Sequence, residues 1–214
     1  MLEIAFKLTG DSGLLMHNNR LANPLDKYTQ LIKTKSGKRK KTIEDIMELA
    51  RIEWEGGLYL HDGEVKIPAR AINKCFERGA TKQKNGMRWK TGCMMDRDYY
   101  AVEYPNKIKI QESKEIPNPA LDKFYEANNF QMMVRVGTAS LLRTRPLIEK
   151  WSITVGILFD GATMDRDGLV QAAKDAGRLV GLCEWRPEKG GQFGRFSVEV
   201  PLTHSRDFSH ELVR

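Results

Sequence analysis

Three segments of the chain alternate apolar and polar residues with a period of two. In "LEIAFKLT" the apolar set is Leu2, Ile4, Phe6 and Leu8; in "WSITVGILFD" it is Ile153, Val155, Ile157 and Phe159. In "RFSVEVPL" it is Phe196, Val198, Val200 and Leu202. Each pattern predicts a strand with one buried face. The last two segments flank "MDRDGLVQAAKDAGRLVG", in which Leu169, Ala172, Ala173, Ala176 and Val180 share one helical face. Asp165 and Asp167 in its first turn and Gly181 at its end supply the expected capping chemistry. The C-terminal third therefore reads as strand, helix, loop, strand.

Upstream, Thr42 and Asp45 form a T-x-x-D capping box, and Ile43, Ile46, Met47, Ala50 and Trp54 follow it at helical spacing. "GGLYLHDGEV" reads as a hairpin, and "PARAINKCFERGA" as a helix with Pro68 in its first turn. "IPNPALDKF" (116–124) is the most Pro-rich passage and reads as a loop. There is no internal repeat, low-complexity tract or clear linker. The pattern predicts an α+β fold: a ferredoxin-like (RRM-like) antiparallel sheet, helices on one face, and a long insertion after the first strand. We expect one domain over residues 1–214, with a basic insertion at about 10–60 and a small lobe at about 80–130.

Composition narrows the functional classes. The 214 residues are 41% hydrophobic and 29% charged, which suits a chain that buries a core. No apolar run approaches the ~20 residues of a membrane span, and "MLEIAFKLTG" lacks a signal-peptide core. A soluble cytoplasmic protein is expected. Cys75, Cys93 and Cys183 are odd in number and widely spaced, so neither a disulfide framework nor a CxxC site is suggested. His17, His61, His204 and His210 form no metal-ligand pair, so no metal or cofactor is expected. The net charge of +7 favours a polyanionic partner.

The cations cluster. "KTKSGKRKK" carries Lys33, Lys35, Lys38, Arg39, Lys40 and Lys41 with no acid between them, around a Ser-Gly centre. Such a finger suits sequence-independent phosphate contact, with a solvated loop as the plainer reading. A second tract holds Arg70, Lys74, Arg78, Lys82, Lys84, Arg88 and Lys90, opposed only by Glu77. Arg70, Lys74 and Arg78 recur every four residues and line one helical stripe. Trp89 within that tract is either a stacking platform for a base or a core residue behind a water-facing stripe. "VGLCEWRPEKGGQFGRF" (180–196) is the third cluster. Gly190, Gly191 and Gly194 allow backbone N–H groups to form an anion cradle, Arg186 and Arg195 add charge, and Trp185 and Phe193 offer ring faces. Alternatively, the rings plug the core edge and the glycines only permit a sharp turn. "GDSG" (10–13) has the wrong surroundings for a serine-protease nucleophile, and "SGKRKKT" lacks the leading glycine of a phosphate-binding P-loop.

Two of these stretches together resemble the RAMP superfamily, the RNA-recognition-like proteins of CRISPR effector and processing complexes. "VKIPARAINKCFERGA" is similar to the passage in which an Ile-Pro step opens the first helix and an Arg closes it, here Ile67, Pro68 and Arg78. "VGLCEWRPEKGGQFGRF" is similar to the superfamily's glycine-rich loop, with Gly181, Gly191 and Gly194 in the matching places. Ala69, Arg70 and Ala71 replace the usual Gly-Ser-Ser-like run, and Cys183 replaces a glycine. A wider set of stretches, including "GLLMHNNRLANP" and "LLRTRPLIEKW", resembles a group of phage-encoded proteins. The resemblance implies a non-catalytic protein of the host cytoplasm that binds single-stranded nucleic acid, RNA in preference to DNA. It also implies assembly side by side along the strand, as in a CRISPR-effector backbone, with copies of itself or other such subunits and no membrane.

The expected phosphate contacts are Lys38, Arg39, Lys40, Lys41, Arg70, Lys74, Arg78, Arg143 and Arg145 with the glycine-rich loop, and the stacking residues are Trp89 and Trp185. A metal-independent RAMP-type endoribonuclease is a rival reading, because His17 and Asp26 lie in the region where cleaving members carry an acid or a His/Lys/Tyr group. A viral structural or interaction protein that mimics or caps a CRISPR-type assembly is a third. Labelled RNA incubated with the protein in EDTA separates the first two. The binding reading expects intact RNA; discrete products lost on His17→Ala or Asp26→Ala would establish the ribonuclease.

Overall fold

The computed structural model describes residues 1–201 except 112 and 138. Leu202, His204 and His210 lie outside the described residues. The strands are β1 (Leu2–Gly10), β2 (Leu14–Leu15), β3 (Leu60–His61), β4 (Glu64–Pro68) and β5 (Cys93–Met95). They continue with β6 (Tyr99–Ala101), β7 (Asn129–Val136), β8 (Ala139–Ile148), β9 (Ser152–Phe159) and β10 (Phe196–Glu199). The helices are α1 (Lys27–Ser36), α2 (Ile43–Gly57), α3 (Ala69–Thr81), α4 (Gly86–Gly92), α5 (Asp122–Asn128) and α6 (Arg166–Asp175). The fold is mixed α+β with antiparallel sheets. The chain divides into two compact units. Unit 1 comprises Met1–Leu14, Lys66–Lys107 and Glu149–Arg214; unit 2 comprises Leu15–Val65 and Ile108–Ile148. The basic segment at 10–60 therefore falls largely in unit 2, while the lobe expected at 80–130 is divided between the units at residue 107.

Unit 1 is built on a four-stranded sheet of order β10-β1-β9-β5, antiparallel throughout. Along the chain the four strands of this sheet, taken with α3 and α6, run strand, helix α3, strand, strand, helix α6, strand, with α4 inserted before β5 and β6 between β5 and β9. The period-two pattern fixes the register: Ile4 lies opposite Ile157, Phe6 opposite Val155 and Leu8 opposite Ile153. All six are buried, because a one-residue slip would turn the whole apolar set to water. Phe76 of α3 meets Phe6 edge-on at 6.0 Å and Phe196 of β10 at 6.4 Å. In the helix before β10, Leu169, Ala172, Ala173, Ala176 and Val180 are all buried, as their spacing requires. Asp165 caps this helix by accepting the Gly168 N–H at 2.6 Å. The helix ends in a π turn, Ala176–Val180, closed by Gly181 at φ 77°.

Small residues let α3 and α6 approach closely. A Cβ at Gly79 would lie 2.2 Å from the Ala172 carbonyl oxygen. The sheet's other face is polar along much of β1, β9 and β10: Lys7, Thr154, Ser197 and Glu199 are exposed there, and the Asp96 side chain covers Gly156, while Leu158 and the exposed Met94 of β5 form an apolar corner. Those outward positions of β1, β9 and β10 hold no aromatic residue.

In unit 2 the Thr42/Asp45 capping box forms with both halves present, and α2 begins where the sequence places it. Its apolar face is not the predicted one. Ala50 and Trp54 are buried, but Ile43, Ile46 and Met47 are 72%, 43% and 66% exposed. Burial instead surrounds the C-terminal half of the helix from Ala50 to Gly57, including Arg51, Glu53 and Glu55. The predicted hairpin turn is present, with Asp62 and Gly63 both at positive φ (52° and 72°) and His61 opposite Glu64. The Pro-rich passage is not a plain loop. Asn118 caps a 3-10 turn over Pro119–Leu121 that leads into α5, and Leu121 and Phe124 are buried. A long hairpin of β7 and β8 pairs Asn129 with Pro146 through to Val136 with Ala139. Among the described residues no helix is long and apolar enough to cross a membrane.

Replacing Gly79 with Ala is expected to destabilise the fold by roughly 1–3 kcal/mol, the usual cost of overpacking. Its Cβ meets backbone, which cannot yield as a flexible side chain would. The denaturation midpoint in urea checks this, with Ala80→Gly on the same helix as the reference.

Candidate nucleic-acid interface

Helix α3 begins directly after Pro68, whose fixed φ suits the entry to a helix. Its buried face carries Ile72, Cys75, Phe76 and Gly79, which leaves Arg70 and Lys74 exposed and Arg78 half-buried. Arg78 makes an ion pair with Glu188. Arg186 binds the same carboxylate oxygen at 3.1 Å and donates its other terminal nitrogen to the Cys183 carbonyl at 2.8 Å. The α3 stripe and the glycine-rich loop, 110 residues apart in sequence, therefore meet at one acid. Lys74 is held by Glu77 at 2.7 Å, whereas Arg70 has no acid within ion-pair distance among the described residues.

The loop from Gly181 to Arg195 is closed by its own backbone. Leu182 N–H donates to Gly194 O (2.9 Å), Phe193 N–H to Trp185 O (3.0 Å) and Gly191 N–H to Arg186 O (3.0 Å). Gly190 N–H donates to Pro187 O, and Gly194 N–H to Gly13 O. The expected anion cradle is thus corrected: the N–H groups of Gly190, Gly191 and Gly194 are consumed inside the protein. Two glycines permit backbone to pass against backbone. A Cβ at Gly191 would lie 1.8 Å from Trp185 O, and one at Gly194 would lie 1.9 Å from Leu182 O. What the loop offers outward is side chains. Trp185 is 43% exposed, with its ring 6.2 Å from Phe193 at a tilt of 36°. Arg195 is exposed, its backbone N–H held by the Ser12 hydroxyl at 3.0 Å.

Trp89 is a correction of another kind. It is 1% exposed, packs edge-on to Phe76 at 5.5 Å, and donates its indole N–H to Asn73 at 2.8 Å. An indole with both its ring and its N–H satisfied in the core has no face for a base. Its neighbours Lys82, Lys84, Arg88 and Lys90 remain exposed.

The basic finger lies in unit 2: Lys33 and Lys35 form the last turn of α1, Lys35 pairing with Glu48 at 2.5 Å, and Lys38–Lys41 connect α1 to α2. Lys38 pairs at 2.5 Å with Asp45, the acid of the α2 capping box. That contact raises the lysine's pKa and lowers the carboxyl's. Lys41 donates to the Lys38 carbonyl at 3.1 Å, while Arg39 and Lys40 are exposed. Arg143 and Arg145 have a different fate. Both bind the buried Glu53 carboxylate, at 3.0 and 2.8 Å, and the other oxygen of Glu53 accepts the Thr144 N–H at 3.1 Å. Arg145 is only 8% exposed, so its expected phosphate contact is corrected to a structural ion pair. Asp26 caps α1 by accepting the Tyr28 N–H at 2.9 Å.

The residues that sequence reasoning missed are acids. Glu53 and Glu188 decide which cations are free, and only the spacing in "WRPEK" hinted at the second. A shallow cleft of about 500 Å³ on unit 1, flanked by Lys7 and Lys150 above Trp151, was also missed. Burial pushes the Cys93 thiol up to about 11 and the Cys183 thiol up to about 12, so both are protonated and weakly nucleophilic near neutrality. Among the described residues no group of three or more His, Cys, Asp and Glu is arranged to hold a metal ion. No protein-family model matches the chain, and no curated protein matches it.

Arg145→Ala is expected to cost about 1–3 kcal/mol, because the buried Glu53 loses one charged partner but keeps Arg143 and the Thr144 N–H. The Arg39→Ala, Lys40→Ala double variant is expected to change stability by less than about 0.5 kcal/mol, as exposed sites do. Urea denaturation of both variants against the parent distinguishes the buried arginine from the exposed finger.

Proposed function

We propose that the protein binds single-stranded nucleic acid, RNA in preference to DNA, through unit 1, and does so without cleaving it. The observation that carries this reading is the meeting of Arg78 and Arg186 at one carboxylate, in a loop that also exposes Trp185. Guanidinium groups suit phosphate oxygens, and an exposed indole suits an unpaired base. Arg70 and Arg195 extend the cationic surface of unit 1. Unit 2 separately carries the exposed cations Arg39, Lys40 and Lys41.

Unit 1 is read as a ferredoxin-like (RRM-like) domain of the RAMP type. Its strand order β10-β1-β9-β5 and its strand–helix–strand–strand–helix–strand sequence support that reading, as does the Gly-rich loop before β10. The outward positions of β1, β9 and β10 hold no aromatic residue, which argues against bases stacking on those strands, so the bound strand follows α3 and the loop. The preference for RNA and the assembly of copies along the strand rest on the RAMP resemblance. The ribonuclease reading gains nothing from Asp26, whose carboxylate is engaged as a helix cap.

Filter binding of single-stranded RNA, single-stranded DNA and duplex at two salt concentrations tests this reading. The single strands are expected to bind more tightly than duplex, with affinity falling as salt rises. An Arg186→Ala, Arg195→Ala double variant is expected to stay folded, to bind about tenfold more weakly, and to show a salt slope shallower by about two. Binding and salt slope equal to the parent's would remove the loop from the interface. A protein that bound no polynucleotide at low salt yet eluted as a defined oligomer would favour a structural or interaction role.

A further inference from the structure

We infer that Glu188 holds the place of a nucleic-acid phosphate in the free protein, so that Arg78 and Arg186 form a phosphodiester site already occupied by an internal anion. This rests on the reading above that unit 1 binds single strands.

The two guanidinium groups come from separate segments, yet both bind Glu188 Oε2. Both guanidinium groups converge on a single oxygen of the Glu188 carboxylate. A phosphodiester carries the same single negative charge, with two non-bridging oxygens set apart on a tetrahedral phosphorus, so it can meet each guanidinium with its own oxygen. The cations are the fixed parts. Arg78 projects from α3, which packs against α6 through Gly79. Arg186 is anchored by its second nitrogen to the Cys183 carbonyl at 2.8 Å, so it keeps an orientation without Glu188. The acid can leave by rotation of its own side chain, with the backbone of the turn still hydrogen-bonded. It sits on the three-residue turn Pro187–Lys189, which ends at Gly190 with φ 75°. No atom lies within 4 Å of the position a Gly190 Cβ would take, so the turn borders open space.

The site is accessible. The Arg78, Arg186 and Glu188 side chains are 35%, 24% and 24% exposed, so solvent and a phosphate group both reach the pair. Partly exposed ion pairs contribute little to stability, and one anion replaces another here without stripping the cations of a partner. Trp185, next to Arg186 and 43% exposed, would place a base beside the exchanged phosphate.

The test measures binding of a single-stranded oligonucleotide to the parent, Glu188→Gln and Glu188→Ala, with urea denaturation to establish that each is folded. Both variants are expected to bind about tenfold more tightly than the parent, with a salt slope steeper by about one. Arg78→Ala added to Glu188→Gln is expected to abolish the gain. If the parent binds and neither variant binds more tightly, the phosphate-placeholder inference is overturned and the binding reading stands. A gain that survives Arg78→Ala would reflect net charge alone and would also overturn it. If parent and both variants bind no polynucleotide, the binding reading falls and takes the inference with it.

Discussion

Two carboxylates on one helix have been taken out of water, and the architecture of unit 2 follows from that constraint. Glu53 and Glu55 lie in the enclosed half of α2, where an unpaired charge would cost several kcal/mol. Glu53 draws in Arg143, Arg145 and the backbone of Thr144, which fixes α2 against β8. Glu55 accepts the Tyr28 hydroxyl at 2.8 Å and the Asn118 N–H at 2.8 Å, bringing in α1 and the turn before α5. Arg51 closes this second cluster by binding Glu55, Asp122 and the Asn118 carbonyl while resting on the rings of Trp54 and Tyr125. Burial and the neighbouring Glu55 push the Tyr28 hydroxyl's pKa upward, so it remains a donor to that carboxylate.

The same constraint sorts the cations of a basic protein. Those near a buried acid become part of the framework, as Arg145 does; those near a half-buried acid are partly neutralised, as Lys38 and Lys74 are. The residues left for a polyanion are fewer than the sequence count of lysines and arginines suggests. In unit 1 the balance differs because the acid Glu188 is on the surface and shared between two guanidinium groups. There two guanidinium groups share one carboxylate oxygen, the arrangement on which the proposed phosphate site rests.

Much of unit 1 was legible because its signals are local or strictly periodic. The alternating runs around Phe6, Val155 and Phe196 gave strands, and the spacing from Leu169 to Val180 gave the helix and its buried face. Asp165 and the Thr42/Asp45 pair gave helix starts, since a cap depends on residues within one turn. The hairpin of β7 and β8 was not foreseen. Its strands mix apolar and polar residues, with Met133, Leu141 and Leu142 exposed, so no clean period marks them. Ile43, Ile46 and Met47 misled for the complementary reason. Helical spacing shows that residues share a face but not that anything covers it.

The sequence by itself determined the α+β class, the buried faces of β1 and β9, the caps of α2 and α6, and the position of a glycine-rich turn. These follow from side-chain periodicity and from backbone chemistry within a few residues. Tertiary structure alone decided what each charged or aromatic residue is for. Trp89 turned inward because α3 offered Phe76 and Asn73, while Trp185, two residues after a strained-φ cysteine, was left outside. Arg145 was claimed by an acid 92 residues away, and Arg78 by one 110 residues away. The N–H groups of Gly190, Gly191 and Gly194 were consumed by carbonyls within unit 1. A charge, an indole or a backbone N–H can serve either the fold or a ligand. Which one it serves depends on the long-range partner that reaches it first, and local sequence does not specify that partner.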